Sequence, residues 1–431
     1  MKNLSKTYWL VLCFIFLSCG QELKSKEKVI YGDDGIDDVS APSSKKWLSE
    51  FKSVALITEK SRLNKRFGGY FLEEKAPTKT AICEKEPLES ARNLGHCSGS
   101  LIEEDLLVTA KHCLEVVPGG CSDLAIVFDI RDHLPWKVPR LLNQSQLFSC
   151  KRIYQPPDPL SDLIMIRLDR PTERPSLNFA ETQDWLSLGE LTVLGYPLGG
   201  DQKVASGGSY RKSFENDQVL AELDVFEGNS GSPVFSSDKE VRGILLGGES
   251  DFETDQAGCL RVKRCAHGNC TGETMISSLS INELHDQIER IDKVTKIPQK
   301  VIFDGILMQE QDIPEPSANN PSPSLIEKFK IDDKTLLSEI HIHLGVLHSN
   351  LSDITMDLTS PSGQVIRLLD RVYKKSEEPF IFDFRSEGDS IFDSFIGLEA
   401  AGEWQIAIKD LSELESGRIL TLSVEMKGQV P

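Results

Sequence analysis

Short apolar runs separated by glycine and proline limit the possible folds of this chain more than any other feature. Runs of this length with turn residues between them are typical of β-strands, whereas a helix needs a 3.6-residue repeat over ten or more positions. The pattern therefore predicts an all-β architecture. The clearest runs lie at residues 106–108, 124–128, 163–166, 191–194 and 241–246.

The composition predicts a folded, acidic protein. With 431 residues, 39% of them hydrophobic, the chain can bury two or three cores, which excludes a protein that is disordered throughout. Its 48 Lys+Arg against 67 Asp+Glu give a formal net charge of -19. A nucleic-acid binder needs a basic face that displaces counterions from phosphate, so we predict no nucleic-acid partner.

The first 18 residues predict an export signal. Two lysines precede an apolar run at 9–17, which is too short to span a bilayer. The run ends in the tetrapeptide Leu-Ser-Cys-Gly at 17–20, which resembles a bacterial lipobox. We therefore predict a lipid anchor on Cys19 that holds the protein in the cell envelope, at the outer membrane or the cell surface. The alternative is an ordinary cleavable signal, which would give a periplasmic or secreted protein.

Apart from Cys13 and Cys19, the chain has eight cysteines, and all of them lie before residue 271. In an exported protein this even number predicts up to four disulfides, and their absence from the last third of the chain indicates a domain boundary. A zinc site at Cys259, Cys265 and Cys270 would lack the paired short knuckles of common zinc sites, so we predict no metal there. Before the boundary, a helix is predicted at 281–291, with Ser280 and Glu283 as its capping box.

Three segments supply the residues of a nucleophilic catalyst. In the first, residues 107–113, His112 stands beside a cysteine. In the second, residues 162–168, Asp162 is at the head of an apolar strand. In the third, residues 228–234, Ser230 lies in a glycine-rich turn. A serine hydroxyl is a poor nucleophile until an imidazole removes its proton. The imidazole in turn needs a buried carboxylate to hold its tautomer.

Taken together these motifs predict a catalytic triad, although each alone has a structural explanation. The chain order His, Asp, Ser matches one of the three known triad orders. The amide N–H groups of Gly228 and Ser230 are predicted to stabilise the oxyanion, because glycines allow the sharp turn that aims them together. Such a donor contributes roughly 3–4 kcal/mol in known enzymes.

These motifs resemble those of the chymotrypsin-fold serine peptidases, most closely the bacterial branch that includes the glutamyl endopeptidases. The resemblance covers residues 29–295 and rests on the segments 29–34, 97–102, 109–113 and 228–235. It implies two six-stranded β-barrels with His112, Asp162 and Ser230 between them as general base, orienting acid and nucleophile. It also implies a Cys97–Cys113 disulfide and the hydrolysis of protein or peptide substrates without a cofactor.

Asn229 bears on activation. Animal digestive enzymes of this fold have an acid before the serine, which pairs with a freshly cut N-terminus. An amide cannot form that ion pair, so we expect activity without trimming of the chain to Val29.

The sequence is compatible with several preferences for the P1 residue of the substrate. Asp224 lies six residues before the serine, where trypsin-like enzymes keep the acid that binds a basic P1 side chain, and this predicts a preference for Arg or Lys. Glu-specific relatives can have a similar acid, which makes a structural role for Asp224 the alternative. Leu245 replaces the histidine of those relatives and argues against Glu specificity, which leaves a small apolar P1 residue as a further alternative. The edge that pairs with the substrate backbone is predicted at Leu246, Gly247 and Gly248.

The last third of the chain predicts a second β domain. Alternation at 354–358 predicts a half-buried strand, and the Ser-Pro-Ser-Gly turn at 360–363 leads into another. With the Gly-x-Trp motif that ends at Trp404, the pattern resembles the P domain (P/Homo B) that follows the catalytic domain of proprotein convertases. The resemblance implies an eight-stranded jelly-roll β-sandwich, which in some proteins holds calcium. No calcium ligand is predicted here, because exposed acids are usually solvated.

We interpret the chain as an exported serine endopeptidase. The alternative is a surface-binding lipoprotein that uses a peptidase fold without turnover, and the complete set of triad residues argues against it. The predicted segments are a signal peptide at 1–18, a tether at 19–45, a peptidase domain at 46–295, a linker at 296–323 and a β-sandwich at 324–431.

Overall fold

The computed structural model describes residues 30–31, 35–66, 69–75, 82–131, 141–158, 160–265, 270–316, 320, 323–376, 378–386, 390–412 and 417–429. The signal peptide, Cys19 and Val29 lie outside these residues, so they stay predictions. Within the described ranges, no helix combines the length and the apolar character needed to cross a membrane.

The part of the chain before residue 296 is built mainly of strands. These are β1 (Ile30–Tyr31), β2 (Ile36–Asp38), β3 (Val54–Glu59), β4 (Leu63–Arg66), β5 (Gly69–Leu72), β6 (Cys97–Leu101), β7 (Leu106–Ala110), β8 (Leu124–Phe128), β9 (Leu141–Leu142), β10 (Leu147–Tyr154), β11 (Leu163–Leu168), β12 (Leu191–Gly195), β13 (Lys203–Ser213), β14 (Gln218–Glu222), β15 (Pro233–Phe235), β16 (Val241–Gly247), β17 (Phe252–Thr254), β18 (Leu260–Val262), β19 (Arg264–Cys265) and β20 (Glu273–Ser277). The α-helices are α1 (His112–Glu115) and α2 (Ser278–Thr295).

Two six-stranded barrels form from these strands and confirm the predicted double barrel. The first closes in the order β10-β11-β7-β6-β3-β8, because β10 also pairs with β8. The second runs β12-β15-β16-β20-β14-β13 and is closed by pairing between β12 and β13, with β2 added beside β13. The apolar runs of the sequence lie in β7, β8, β11, β12 and β16, where nearly all their side chains are buried.

Helix α2 follows the second barrel and is longer than predicted. Its buried face includes Ile281, Leu284 and Ile288. The predicted N-cap at Ser280 is wrong. The Ser277 hydroxyl accepts the N–H of Leu279 at 3.1 Å, because Ser277 still has the extended backbone of β20, whereas Ser280 is already inside the first turn.

Eight strands form the C-terminal domain. They are β21 (Gln299–Asp312), β22 (Leu325–Ile331), β23 (Leu337–Leu347), β24 (Ile354–Thr359), β25 (Val365–Asp370), β26 (Phe380–Arg385), β27 (Gly402–Asp410) and β28 (Arg418–Gln429). They make two antiparallel sheets, β21-β28-β23-β26 and β22-β27-β24-β25, whose apolar faces share one core. Rings of Phe303 and Phe329 meet across the two sheets with centroids 4.5 Å apart. The predicted β-sandwich is confirmed.

The predicted linker at 296–323 contains a strand. Within it, β21 pairs with β28 from Gln299 opposite Gln429 to Asp312 opposite Arg418, so the sandwich begins near residue 299. The strand lies at the edge of its sheet and most of its side chains are exposed or half-buried. The alternation that marks a strand is therefore weak in this segment.

Candidate functional site

His112 is held where the first barrel meets α1. Strand β7 ends at Ala110, and α1 begins at His112 itself. The next residue, Cys113, forms a disulfide with Cys97 at the start of β6, so the histidine is tied to two neighbouring strands. The other disulfides are Cys83–Cys259, Cys121–Cys150 and Cys265–Cys270.

Asp162 contacts His112 through both its side chain and its backbone. The pairing of Leu163 with Ala110 brings the start of β11 beside the end of β7. His112 Nδ1 lies 2.9 Å from Asp162 Oδ2 and 3.1 Å from Oδ1, and the His112 main-chain N–H donates to Oδ1 at 3.0 Å. A carboxylate in this place keeps the proton on Nδ1 and leaves Nε2 as the base.

Ser230 lies in a turn that requires its flanking glycines. Gly228 has φ +92° and Gly231 has φ +85°, in the left-handed region that side chains other than glycine disfavour. There is also no space for a Cβ atom, because at Gly228 it would lie 2.5 Å from the main chain of Gly199, and at Gly231 it would lie 2.0 Å from the Ser98 carbonyl oxygen. The turn can therefore aim its main-chain amides in a way that other residues would prevent.

Contacts with the first barrel dock this turn beside His112. The Ser98 N–H donates to the Ser230 carbonyl at 2.8 Å, and the Ser98 hydroxyl donates to the Gly228 carbonyl at 2.8 Å. Sγ of Cys113 lies 3.9 Å from the same Ser230 carbonyl oxygen. The structure thus brings the three residues predicted as a triad to the junction of the two barrels. The Ser230 hydroxyl donates to the Leu246 carbonyl at 3.1 Å.

Asn229, which precedes the serine, is buried inside the second barrel. Its Oδ1 accepts a hydrogen bond from the Ser232 hydroxyl at 3.4 Å. The contact is local and neutral, as expected for an amide in place of an acid.

Asp224 holds the N-terminal segment. Its Oδ1 accepts the N–H of Tyr31 at 2.7 Å and its Oδ2 accepts the N–H of Gly35 at 2.9 Å. Both oxygens of this buried carboxylate are therefore engaged by main-chain amides. This geometry fits the structural role that was named above as the alternative for Asp224.

An unexpected acid lies against the segment that is predicted to pair with the substrate backbone. Leu245 and Leu246 are buried, and a Cβ added to Gly248 would lie 1.9 Å from Oε2 of Glu273. Glu273 is completely buried. Sequence reasoning missed it, because a glutamate in the segment Thr-Gly-Glu-Thr is typical of a solvated turn.

Charges near this edge shift two pKa values. Hydrogen bonds from Lys263 and Thr271 lower the pKa of Glu249 to about 2. Burial raises the pKa of the Tyr31 phenol, and the nearby carboxylates of Glu273, Glu249 and Glu222 raise it further. The end of the second barrel therefore has a strongly negative environment.

Three clusters of potential metal ligands occur in the described part of the chain. Two of them, around Cys97 and Cys83, depend on cysteines that form disulfides and so cannot supply thiolates. In the third, which also includes Glu289, Glu103 binds His285 at 2.9 Å and Arg167 at 3.0 Å. Cys259, Cys265 and Cys270, for which the sequence predicted no zinc site, are likewise in disulfides.

Two family models match the chain, in the expected order. Residues 97–244 match the family described as "Trypsin-like peptidase domain", and residues 337–426 match "Proprotein convertase P-domain". No curated protein sequence matches the chain.

Similar solved structures include two peptidases. A Glu endopeptidase in complex with MPD is 16% identical, with 61% of this chain and 99% of that chain covered and a TM-score of 0.35. The VesB protease of Vibrio cholerae is 13% identical, with 90% of this chain and 91% of that chain covered and a TM-score of 0.37. Similarities this weak carry no argument about activity.

Proposed function

Because the chain contains a trypsin-like peptidase domain followed by a proprotein convertase P-domain, we propose that it is a serine endopeptidase that cleaves proteins or peptides through His112, Asp162 and Ser230. The observation that carries the proposal is the double hydrogen bond from His112 to Asp162 beside the docked Ser230 turn. An acid that binds both the ring and the backbone of a histidine fixes that histidine in one orientation.

In the proposed reaction, His112 Nε2 takes the proton of the Ser230 hydroxyl as the oxygen attacks the scissile carbonyl carbon. The hydroxyl first turns away from the Leu246 carbonyl, to which it donates at 3.1 Å. The amides of Gly228 and Ser230 stabilise the resulting oxyanion. His112 then gives its proton to the leaving amine, and a water molecule hydrolyses the acyl-enzyme by the same route.

We propose that the chain hydrolyses its substrates without proteolytic trimming to Val29. The proposal is supported by Asn229, whose side chain accepts from Ser232 and has no charge for a new N-terminus to neutralise. The turnover of the exported chain and of a variant that begins at Val29 would be compared. Similar values are expected, and a large gain on trimming would contradict the proposal.

We also propose export and a lipid anchor on Cys19, supported by the signal and the lipobox-like tetrapeptide at 17–20. The mass of the mature N-terminus tests this, because a lipidated cysteine and an ordinary signal cleavage give different masses. The natural substrate stays open between general digestion and the maturation of one partner protein.

The test of the catalytic proposal is labelling with a fluorophosphonate probe, which reacts with an activated serine whatever the P1 preference. Ser230→Ala and His112→Ala are expected to abolish labelling. Matched controls are Ser187→Ala and His343→Ala, which change an exposed serine and a half-buried histidine elsewhere. A folded, disulfide-bonded wild type that does not label would favour the surface-binding alternative.

A further inference from the structure

We propose that Glu273 is the specificity-determining acid of the P1 pocket and that it binds a lysine or arginine side chain of the substrate. The inference rests on the proposed endopeptidase function and adds a residue that the sequence motifs did not indicate. It moves the basic P1 preference from Asp224, which follows β14, to Glu273 in β20.

Glu273 faces the inside of the second barrel, at its end. It begins β20, and Met275, two residues later, packs in the core of that barrel with Leu245 and Ala221. Side chains two apart on a strand share a face, so Glu273 continues the inward row of Met275. The pairing of Glu273 with Ala221, another inward residue, supports the same direction.

The carboxylate lies against the glycine edge that we expect to pair with the substrate backbone. A Cβ added to Gly248 would lie 1.9 Å from Oε2 and 2.3 Å from Cδ of Glu273. The Glu249 N–H approaches Oε1 at 3.4 Å. The carboxylate therefore occupies the space that a side chain at position 248 would fill. If the substrate backbone pairs with this edge, its P1 side chain projects next to the carboxylate.

The surroundings favour a cation as the occupant. Among the described residues, the carboxylates of Glu222, Glu249 and Glu273 all act on the Tyr31 phenol. Lys263 lies 2.8 Å from Glu249, and Arg211 lies 3.8 Å from Glu222. The Tyr31 hydroxyl is buried beside these acids. It provides a polar group that can accept a hydrogen bond from an entering ammonium or guanidinium.

Asp224 does not compete for this role. Its two oxygens accept the amides of Tyr31 and Gly35, so the same N-terminal segment that engages Asp224 also brings the Tyr31 ring toward Glu273. The Glu273 carboxylate is completely buried, and the low local dielectric constant there strengthens its attraction for a charged P1 group.

The experiment measures kcat/KM on matched peptides that differ only at P1, with Lys, Arg, Leu or Ala. The wild type is expected to prefer Lys and Arg. Glu273→Gln is expected to reduce kcat/KM for Lys and Arg by about 100-fold while that for Leu changes little, since loss of one partner of a buried charge pair has an effect of this order. Fluorophosphonate labelling of Glu273→Gln should persist.

Asp224→Asn is the comparison variant, and it should leave the ratio of Lys to Leu cleavage unchanged. Benzamidine, an arginine side-chain mimic, should inhibit the wild type competitively, a test that needs no variant. A wild type that labels but does not prefer Lys or Arg, or a ratio that depends on Asp224 and not on Glu273, would overturn the inference alone. A wild type that never labels would instead refute the proposed function.

Discussion

Arg152 of the first barrel donates from Nη2 to Oδ1 of Asp393 in the C-terminal sandwich at 2.6 Å, and the Asp393 side chain is completely buried. The same Nη2 also reaches the Ser386 carbonyl at 3.4 Å, and the guanidinium lies over the Tyr154 ring, 4.8 Å from its centroid. One arginine therefore links strand β10 to two segments of the other domain. Because the buried carboxylate belongs to one domain and its cation to the other, the stability of each domain depends on the other.

We expect Arg152→Met to reduce the free energy of unfolding by about 3 kcal/mol, since removal of one partner of a buried ion pair leaves a desolvated charge. Urea unfolding followed by circular dichroism measures this. The control is Arg418→Met, because Arg418 and Asp312 form an exposed pair whose side chains are 52% and 75% accessible, and such pairs contribute at most about 1 kcal/mol. Equal losses from the two variants would refute the linking role of Arg152.

Asp162→Asn should leave the fold intact and reduce kcat by about 10⁴-fold, because an amide no longer stabilises the imidazolium and favours the wrong tautomer. Steady-state hydrolysis of a peptide that the wild type cleaves would measure it, beside unfolding curves for both proteins. Asp169→Asn, which changes a half-exposed acid after β11, is the matched control and should retain activity. Full activity of Asp162→Asn would remove Asp162 from the site.

A second buried pair stabilises the C-terminal sandwich. His348 Nε2 lies 3.0 Å from Asp410 Oδ2, both side chains are fully inaccessible, and the Asn350 N–H donates to His348 Nδ1 at 3.0 Å. His348→Ala should lower the free energy of unfolding by about 3–5 kcal/mol, since Asp410 would remain buried without this partner.

The control for this histidine is His341→Ala in the same domain. His341 binds Asp383, but their side chains are 27% and 43% exposed, so a loss below about 1 kcal/mol is expected. Urea unfolding of both variants would show whether burial, rather than the presence of a His–Asp pair, determines the loss in the free energy of unfolding.

Glu249 predicts a pH dependence of stability. Its hydrogen bonds from Lys263 and Thr271 lower its pKa to about 2, from 4.5 in the absence of these partners. A lowered pKa of an acid contributes stability above the unfolded value, and this contribution is lost as the pH falls from 4.5 toward 2. Glu249→Gln should therefore destabilise the protein at about pH 5 and have a smaller effect at about pH 3.

Unfolding by urea at the two pH values measures this difference, and Glu173→Gln, at an exposed glutamate, is the matched control. An effect of Glu249→Gln that is the same at both pH values would show that Glu249 acts by packing rather than by charge.

Much of the architecture could be predicted because it depends on local patterns. The apolar runs of β7, β8, β11, β12 and β16 are contiguous in the chain, and strand pairing buries them wherever their partners lie. The sequence pattern did not predict the edge strand β21, because most of its side chains are exposed and such a strand needs few apolar residues.

The amino-acid sequence by itself determined the motifs around His112, Asp162 and Ser230 and the glycines of the serine turn, because residue type and spacing suffice for these. Only the tertiary structure decided which residues the acids near the predicted substrate edge contact. Asp224 meets Tyr31 across 193 positions of the chain, and Glu273 meets Gly248 across two strands of a closed barrel. Burial and hydrogen bonding of a carboxylate depend on which distant residues surround it, and no local pattern contains that information.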